Sequence, residues 1–494
     1  MFLDQSNFEV YPLDLVLTLD SHMESPLHQQ VYGQLRQAIL TGRLQANQRL
    51  PATRSLAQSL GVSRTTVIQG YDQLISEGYL ETRVGAGTYV CSELPELALQ
   101  VELPDMAAPK WKDIRLSTYA ERVQQIPQRR VAPRLEIDFR YGTPALDLFP
   151  MGLWRQLLAR QVASTDVLGY APSAMGDESL RGAIATHIRQ ARGVRCQPAQ
   201  ILITGGSQQA LDLIARLVLH VGDRMAFEEP GYAGARQIFT ASGAEIIPIP
   251  IDGDGIDLDR VKASHPRLVY VTPSHQFPTG TLLSLPRRLA LLQWAADNSA
   301  MIIEDDYDSE YRYGGRPIPA LQGLDGGSRV FYIGTFSKVM FPGLRMGYLV
   351  VPKPLITVFK TAKWLADRQP PALDQRALCE FIEAGHLERH LRKMRICYAR
   401  RRQALVDALN QQFGQAVQVL GDQAGLHIMV RWTTQLSDDE LVAKAAAHGV
   451  GIYSARRQYL SPERTGEFVF GYAELDERSI KEGIRRIAEA LKPA

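Results

Sequence analysis

Gly334-Thr335-Phe336-Ser337-Lys338-Val339-Met340-Phe341-Pro342-Gly343-Leu344-Arg345-Met346-Gly347-Tyr348 lies between two apolar runs, Val330-Phe331-Tyr332-Ile333 before it and Leu349-Val350-Val351 after it. Short apolar runs bounded by Gly, Ser and Pro read as buried strands, so Lys338 is expected on a connection between two strands. A rigid scaffold presents reactive groups at such places. A lysine amine becomes nucleophilic when burial or a nearby cation lowers its pKa, and Arg345 supplies either that cation or a phosphate ligand. Lys338 is thus a candidate for holding an aldehyde as a Schiff base. The competing reading is an ordinary surface-loop lysine, and the rest of the chain decides between them.

Outward from this stretch, the same strand signal recurs. Ile201-Leu202-Ile203-Thr204, Arg224-Met225-Ala226-Phe227, Leu268-Val269-Tyr270-Val271 and Met301-Ile302-Ile303-Glu304 alternate with amphipathic helical stretches. That alternation predicts an α/β body with a largely parallel sheet, helices on both faces, and ligands at the carboxyl ends of the strands. Each run leads into residues suited to a site. Gly205-Gly206-Ser207-Gln208 puts small residues at a helix N-terminus, where free amides and the helix dipole hold phosphate. Glu228-Glu229-Pro230-Gly231-Tyr232 offers a ring. Glu304-Asp305-Asp306-Tyr307-Asp308 is dense in carboxylates that are costly to bury without a cation, and a pyridinium nitrogen would be one. Together these are the needs of pyridoxal 5'-phosphate.

The N-terminal part has a different pattern. Leu27, Val31, Leu35, Ala38 and Ile39 recur at helical spacing up to Gly42; a short helix carries Leu56, Ala57 and Leu60 and breaks at Gly61. Ser63 can cap a third helix with Val67, Tyr71, Leu74 and Ile75 on one face. Two alternating segments around Gly85-Ala86-Gly87 then read as a hairpin. Residues 26 to 90 hold six arginines, no lysine and three acidic residues, a local net of +3 that suits phosphate contact. Helix, tight turn, helix and wing is a DNA-binding arrangement, with the alternative of a small helical interaction domain.

From 91 to about 134 periodicity is lost and prolines recur at 95, 104, 109, 127 and 133, as in an extended linker. Trp111 to Val123 carries a weak helical signal, and Arg129-Arg130 is a short basic patch. The run Leu387 to Arg402 is rich in basic residues, but Leu387, Leu391, Met394 and Tyr398 share one helical face, so it reads as an amphipathic helix with a solvated basic side. The 494 residues, 45% hydrophobic and 22% charged, suffice for two or three domains. No run is long and apolar enough to span a bilayer, and Met1 to Asp14 lacks a basic leader, so a cytoplasmic protein without membrane contact is expected. Cys91, Cys196, Cys379 and Cys397 are scattered, which argues against disulfides and against a metal site.

Two resemblances sharpen these readings. Arg49-Leu50-Pro51-Ala52-Thr53-Arg54-Ser55-Leu56-Ala57, Leu60-Gly61-Val62-Ser63-Arg64-Thr65-Thr66-Val67 and Leu74-Ile75-Ser76-Glu77-Gly78-Tyr79-Leu80 resemble the winged helix-turn-helix of GntR-family regulators. By that resemblance Arg54, Arg64, Thr65 and Thr66 face double-stranded DNA, and Gly85 and Gly87 shape the wing. Residues 136 to 494 resemble a fold-type I, aspartate-aminotransferase-like domain with large and small parts. That likeness implies Lys338 as the Schiff-base lysine, Asp305 as partner of the ring nitrogen, Tyr307 at the ring hydroxyl and Tyr232 as the stacking ring. Gly206, Ser207, Gln208, Thr335, Ser337 and Arg345 match the phosphate site, and Tyr170 matches a tyrosine lent by a neighbouring subunit.

The whole is similar to the MocR subfamily, which implies a winged helix-turn-helix domain at 20–91, a linker at 92–134 and a pyridoxal-phosphate-binding domain at 135–494, with a small subdomain from about 385. A head-to-tail homodimer is expected. The resemblance implies a transcription regulator that senses an amine, an amino acid or pyridoxal phosphate itself, the alternative being an active aminotransferase carrying a DNA-binding domain. Two departures bear on this. Phe277-Pro278-Thr279-Gly280 stands where Asn-Pro-Thr-Gly is usual, so one hydrogen bond to the ring hydroxyl is missing or comes from His275 or Gln276. No arginine occurs in Phe468-Val469-Phe470-Gly471-Tyr472, where a carboxylate clamp is usual; Arg456 is the nearest candidate for the effector carboxylate and Arg457 the alternative.

Overall fold

In a computed structural model of the chain, residues 17–20, 23, 25–95, 115–127, 133–165, 169–314, 319–461 and 465–492 are described. The readings at Met1 to Asp14, at Trp111 and at Arg129-Arg130 lie outside them. The chain divides into two compact units, 1–115 and 116–494.

The first unit holds α1 (Leu27–Leu40), α2 (Thr53–Leu60), α3 (Arg64–Ser76) and an antiparallel hairpin of β1 (Leu80–Arg83) and β2 (Gly87–Val90). The predicted apolar face is its core: Val31, Leu35, Leu56, Val67, Tyr71 and Leu74 are buried together with Leu50, Leu80 and Val90. Gly61 ends α2 in the left-handed conformation, and the Ser63 hydroxyl accepts from the Thr66 amide at 3.1 Å, which caps α3. Arg49 bridges to Tyr89, so the hairpin is tied back to the segment between α1 and α2.

The second unit is built on an eight-stranded sheet. In chain order its strands follow β3 (Ile137–Asp138) and are β4 (Ile201–Thr204), β5 (Arg224–Glu229), β6 (Glu245–Asp252), β7 (Gly255–Ile256), β8 (Leu268–Val271), β9 (Met301–Asp306), β10 (Val330–Thr335) and β11 (Gly347–Val350). Their spatial order is β4-β11-β10-β9-β8-β5-β6-β7. Strands β10, β9, β8, β5 and β6 are parallel, as the near-continuous apolar runs predict. The exception near the site is β11, antiparallel to both β10 and β4. The short Lys338 connection imposes this, because a parallel return needs a crossover of a dozen residues or more. The carboxyl ends of β4, β5, β8, β9 and β10 therefore share one edge with the start of β11.

A second sheet of four antiparallel strands, Val417–Leu420, His427–Trp432, Glu467–Gly471 and Tyr453–Ser454, packs with the helices His386–Phe413 and Glu477–Ala490. Leu387, Leu391, Met394 and Tyr398 are buried along the first of these helices, the face their spacing predicts. This small part also takes in β3, which pairs in parallel with Val450–Gly451. Within the stretch read as a linker, α4 (Thr118–Gln124) lies on the large part: Arg122 donates to the carbonyls of Ala241 at 2.8 Å and Ser242 at 3.3 Å.

Candidate functional site

The edge where the strands end collects the candidate residues. Asp305, at the end of β9, is buried. One carboxylate oxygen accepts from the Tyr270 hydroxyl at 2.7 Å, and the other, Oδ1, is buried without a hydrogen-bond partner. Burial raises its pKa to about 6 against the opposing pull of the Tyr270 hydrogen bond and Lys338. Lys338, on the connection after β10, donates through Nζ to the Gly142 carbonyl at 2.6 Å, so the lysine points to the segment that follows β3. Tyr307 donates to the His275 carbonyl at 2.9 Å and lies 3.0 Å from His275 Nδ1.

Gly206 begins the helix α5 (Ser207–Val218) with φ of 87°. A Cβ there would meet the Arg345 guanidinium at 3.1 Å, and Arg345 itself donates to the Gly205 carbonyl at 2.9 Å. Missing side chain, helix N-terminus and guanidinium make an anion cradle. Thr335 and Ser337 are buried beside it, the Ser337 amide donating to Thr335 Oγ1 at 3.2 Å. Gln208 donates to the Tyr232 hydroxyl at 3.0 Å, which ties the cradle to the candidate stacking ring.

Tyr170 stands apart from this group, 84% exposed, with the Arg368 guanidinium over its ring at 5.7 Å. Arg456 and Arg457 are exposed on the turn Ala455–Gln458. The residue of that turn engaged with the site is Gln458, which sequence reasoning passed over. It accepts from the Gly231 and Ala233 amides on either side of Tyr232 and donates to the Tyr141 hydroxyl at 3.1 Å. Also missed was Arg140, two residues from the lysine's carbonyl partner, with Nε donating to the Tyr453 hydroxyl at 3.2 Å and Nη2 3.3 Å from Asp138. A residue just past a short strand, in an ordinary polar-apolar alternation, carries no motif that would mark it.

Among the described residues His275, Asp308 and His427 form the one group whose ligand atoms could gather about a metal ion. His275 Nδ1 is already 3.0 Å from Asp308, and His427 Nε2 is 3.2 Å from the Pro278 carbonyl. Burial, with His275 and Lys338 nearby, holds the His427 pKa well below its usual range.

In the first unit, Arg54, Arg64 and Thr65 are exposed around the start of α3, the end a recognition helix presents to a groove. Thr66 is half-buried and partly committed to the cap, its hydroxyl 2.8 Å from that of Ser63. Gly85 and Gly87 have φ of 77° and 111°, which a tight wing turn requires, and the Arg49 side chain fills the space a Cβ at Gly87 would take. Arg83, on the wing, sits over the Tyr89 ring at 4.5 Å and bonds Glu81 and Asn47.

Residues 137–487 match the family Aminotransferase class I and II, and residues 27–90 match Bacterial regulatory proteins, gntR family. The chain is 40% identical over 480 residues to the Probable rhizopine catabolism regulatory protein MocR of Rhizobium meliloti, covering 96% of both chains. It is 31% identical to the HTH-type pyridoxine biosynthesis transcriptional regulator PdxR of Corynebacterium glutamicum, covering 97% of this chain and 99% of that one. Among solved structures, LysN, the α-aminoadipate aminotransferase of Thermus thermophilus complexed with N-(5'-phosphopyridoxyl)-L-leucine, superposes with a TM-score of 0.69 at 31% identity over 77% of this chain and 98% of that one. A gntR-type winged helix and a fold-type I aminotransferase domain on one chain, aligned nearly end to end with such regulators, place this protein in the MocR group of GntR-family transcription regulators.

Proposed function

We propose that the protein is a pyridoxal-phosphate-dependent transcription regulator in which a primary amine or amino acid, captured at Lys338, alters operator binding by the winged helix. The observation that carries this is the convergence at one sheet edge of Lys338, the unspent oxygen of Asp305 and the Gly206–Arg345 cradle, on a chain that also bears a DNA-binding module. The unpartnered Asp305 oxygen fits a protonated ring nitrogen, a buried donor that would satisfy a buried acceptor. The cradle fits the phosphate, with Ser207, Gln208, Thr335 and Ser337 as further ligands, and Tyr232 fits the ring face. Bound there, the cofactor would supply an aldehyde able to link to a lysine or to an incoming amine.

The residues of this chain do the rest. Tyr270 fixes Asp305 in place, Lys338 bears the amine, and Tyr307 stands ready to donate to a ring oxygen. Arg456 is the proposed partner of an effector carboxylate. The exposed ring of Tyr170 suits donation to a second subunit, and a head-to-tail homodimer is proposed on that basis. The domain limits proposed are 20–91, 92–134 and 135–494. One feature favours sensing over turnover: the buried Phe470 occupies the stretch where an arginine is usual.

The test is an absorbance spectrum between roughly 300 and 500 nm with and without a panel of amines and amino acids. A band near about 420 nm that shifts with one ligand class is expected, and Lys338→Ala should lose both band and response while retaining operator binding. An amine response that persists in Lys338→Ala would overturn the proposal. Keto-acid formation at enzyme-like rates would favour the aminotransferase alternative.

A further inference from the structure

The segment Ser274-His275-Gln276-Phe277 has to compensate for the missing amide at 277, and the structure separates its two polar candidates. Gln276 is fully engaged. Its Nε2 donates to the carbonyls of Pro230 and Phe277, each at 2.7 Å, and to Glu228 at 3.3 Å, while its Oε1 accepts from the Thr279 amide at 3.2 Å and hydroxyl at 2.6 Å. His275 is arranged differently. The residue is 2% exposed, with Nδ1 3.0 and 3.2 Å from the two oxygens of Asp308 and 3.0 Å from the Tyr307 hydroxyl.

A carboxylate only accepts, so the proton of His275 lies on Nδ1, shared between Asp308 and the phenol oxygen of Tyr307. The Tyr307 hydroxyl is thereby held from two sides, receiving from Nδ1–H while its own proton rests on the His275 carbonyl. The small subdomain completes the arrangement. The Leu426 amide donates to Asp308 at 3.2 Å, and a Cβ at Gly425 would overlap both the imidazole at Nδ1 and the Asp308 carboxylate. Only glycine at 425 lets the ring and carboxylate meet.

We propose that His275, oriented by Asp308, is a positioning residue for Tyr307 that takes over the tuning an amide at position 277 would give the cofactor's ring oxygen. A phenol that receives a hydrogen bond is a stronger donor in turn, so Nδ1–H strengthens the bond Tyr307 would make to that oxygen when its proton turns from the His275 carbonyl to the cofactor. With the cofactor bound, donation to the ring oxygen would weaken that oxygen's hold on a proton shared with the nitrogen of Lys338, and would lower the pH at which the proton leaves. The other charged or titratable groups around Tyr307 and His275 are Asp305, Asp306 and Glu228 on the strands, His427 on the small subdomain and Lys338 itself.

This inference rests on the site reading above, and its readout is spectroscopic. The pH midpoint of the long-wavelength band is measured for the loaded full-length protein and for two variants of similar bulk. An asparagine amide nitrogen reaches the place of Nδ1, whereas a glutamine amide reaches that of Nε2. His275→Asn should keep the midpoint near that of the unsubstituted protein, and His275→Gln should raise it by about one unit, a tenfold change in proton affinity. Tyr307→Phe should raise it at least as far, and His275→Gln should add nothing further in that background. Equal midpoints in all variants, or equal shifts for Asn and Gln, would overturn the proposal while leaving the cofactor site intact. A protein that takes up no cofactor would overturn the site reading and this inference with it.

Discussion

Glu228 is fully buried one residue before the end of β5, accepting from the Thr272 amide and hydroxyl and from Gln276. Burial raises its pKa to about 7 from 4.5, the three hydrogen bonds and the nearby Asp305 being smaller influences. The sign follows from which state binds the proton more tightly. The folded protein holds it above pH 4.5, where the unfolded chain releases it, so stability from this residue is complete below about pH 4.5 and is lost as pH rises to about 7. Glu228→Gln keeps an acceptor for Thr272 without a titratable charge. The variant should gain up to about 3 kcal/mol relative to the unsubstituted protein at pH 8, with the gain vanishing below about pH 4.5; denaturant unfolding from about pH 4 to pH 8 measures it. A gain independent of pH would show that packing, not charge, decides. At this scale the sequence is legible where chemistry is local: Lys338, Asp305, Gly206 and Arg345 each stand in a recognisable run. The dependence of His275 and Asp308 on Gly425, more than a hundred residues later, has no local signature, nor has the engagement of Gln458 with both flanks of Tyr232.

Elements were legible through periodicity, because strands buried on both faces leave continuous apolar runs and helices leave one apolar stripe. What periodicity omits is how elements cross. Glu467–Gly471 runs so close to the segment after β3 that a Cβ on Gly471 would overlap the Arg140 carbonyl, and the Gly471 amide donates to Phe139 at 2.8 Å. Two residues beyond Arg140, the Gly142 carbonyl holds Lys338. Gly471→Ala should therefore cost about 3 kcal/mol and also weaken cofactor retention, since the backbone that must yield is the one facing the lysine. Gly253→Ala, with open space around it, is the control and should change stability by less than about 0.5 kcal/mol. Equal stability of the two variants would refute the crossing argument. The helix α4 is a second case: a seven-residue segment is too short to persist by propensity, so its docking depends on Arg122 capping the carbonyls of Ala241 and Ser242. Arg122→Ala should make cleavage within 116–127 several-fold faster in limited proteolysis while the unfolding midpoint of the large unit is unchanged. Loss of both together would mean that α4 is part of the core.

At the scale of the whole molecule, each unit has its own hydrophobic core, and the proposed link between them is an equilibrium. Coupling between distinct sites is reciprocal. If an amine at Lys338 changes operator affinity by some factor, operator DNA must change amine affinity by the same factor, and usual couplings of about 1 to 3 kcal/mol put it between roughly 5-fold and 150-fold. Titrating the amine by cofactor absorbance with and without saturating operator measures one side; operator binding with and without saturating amine measures the other. Both belong at one fixed salt concentration, because the arginine-rich module makes DNA affinity steeply salt-dependent. Equal factors are expected. An amine affinity that ignores the operator, in a protein whose operator affinity is likewise unmoved by amine, would mean that the two units share a chain without sharing an equilibrium. Regulation by this amine would then be refuted even with the cofactor in place.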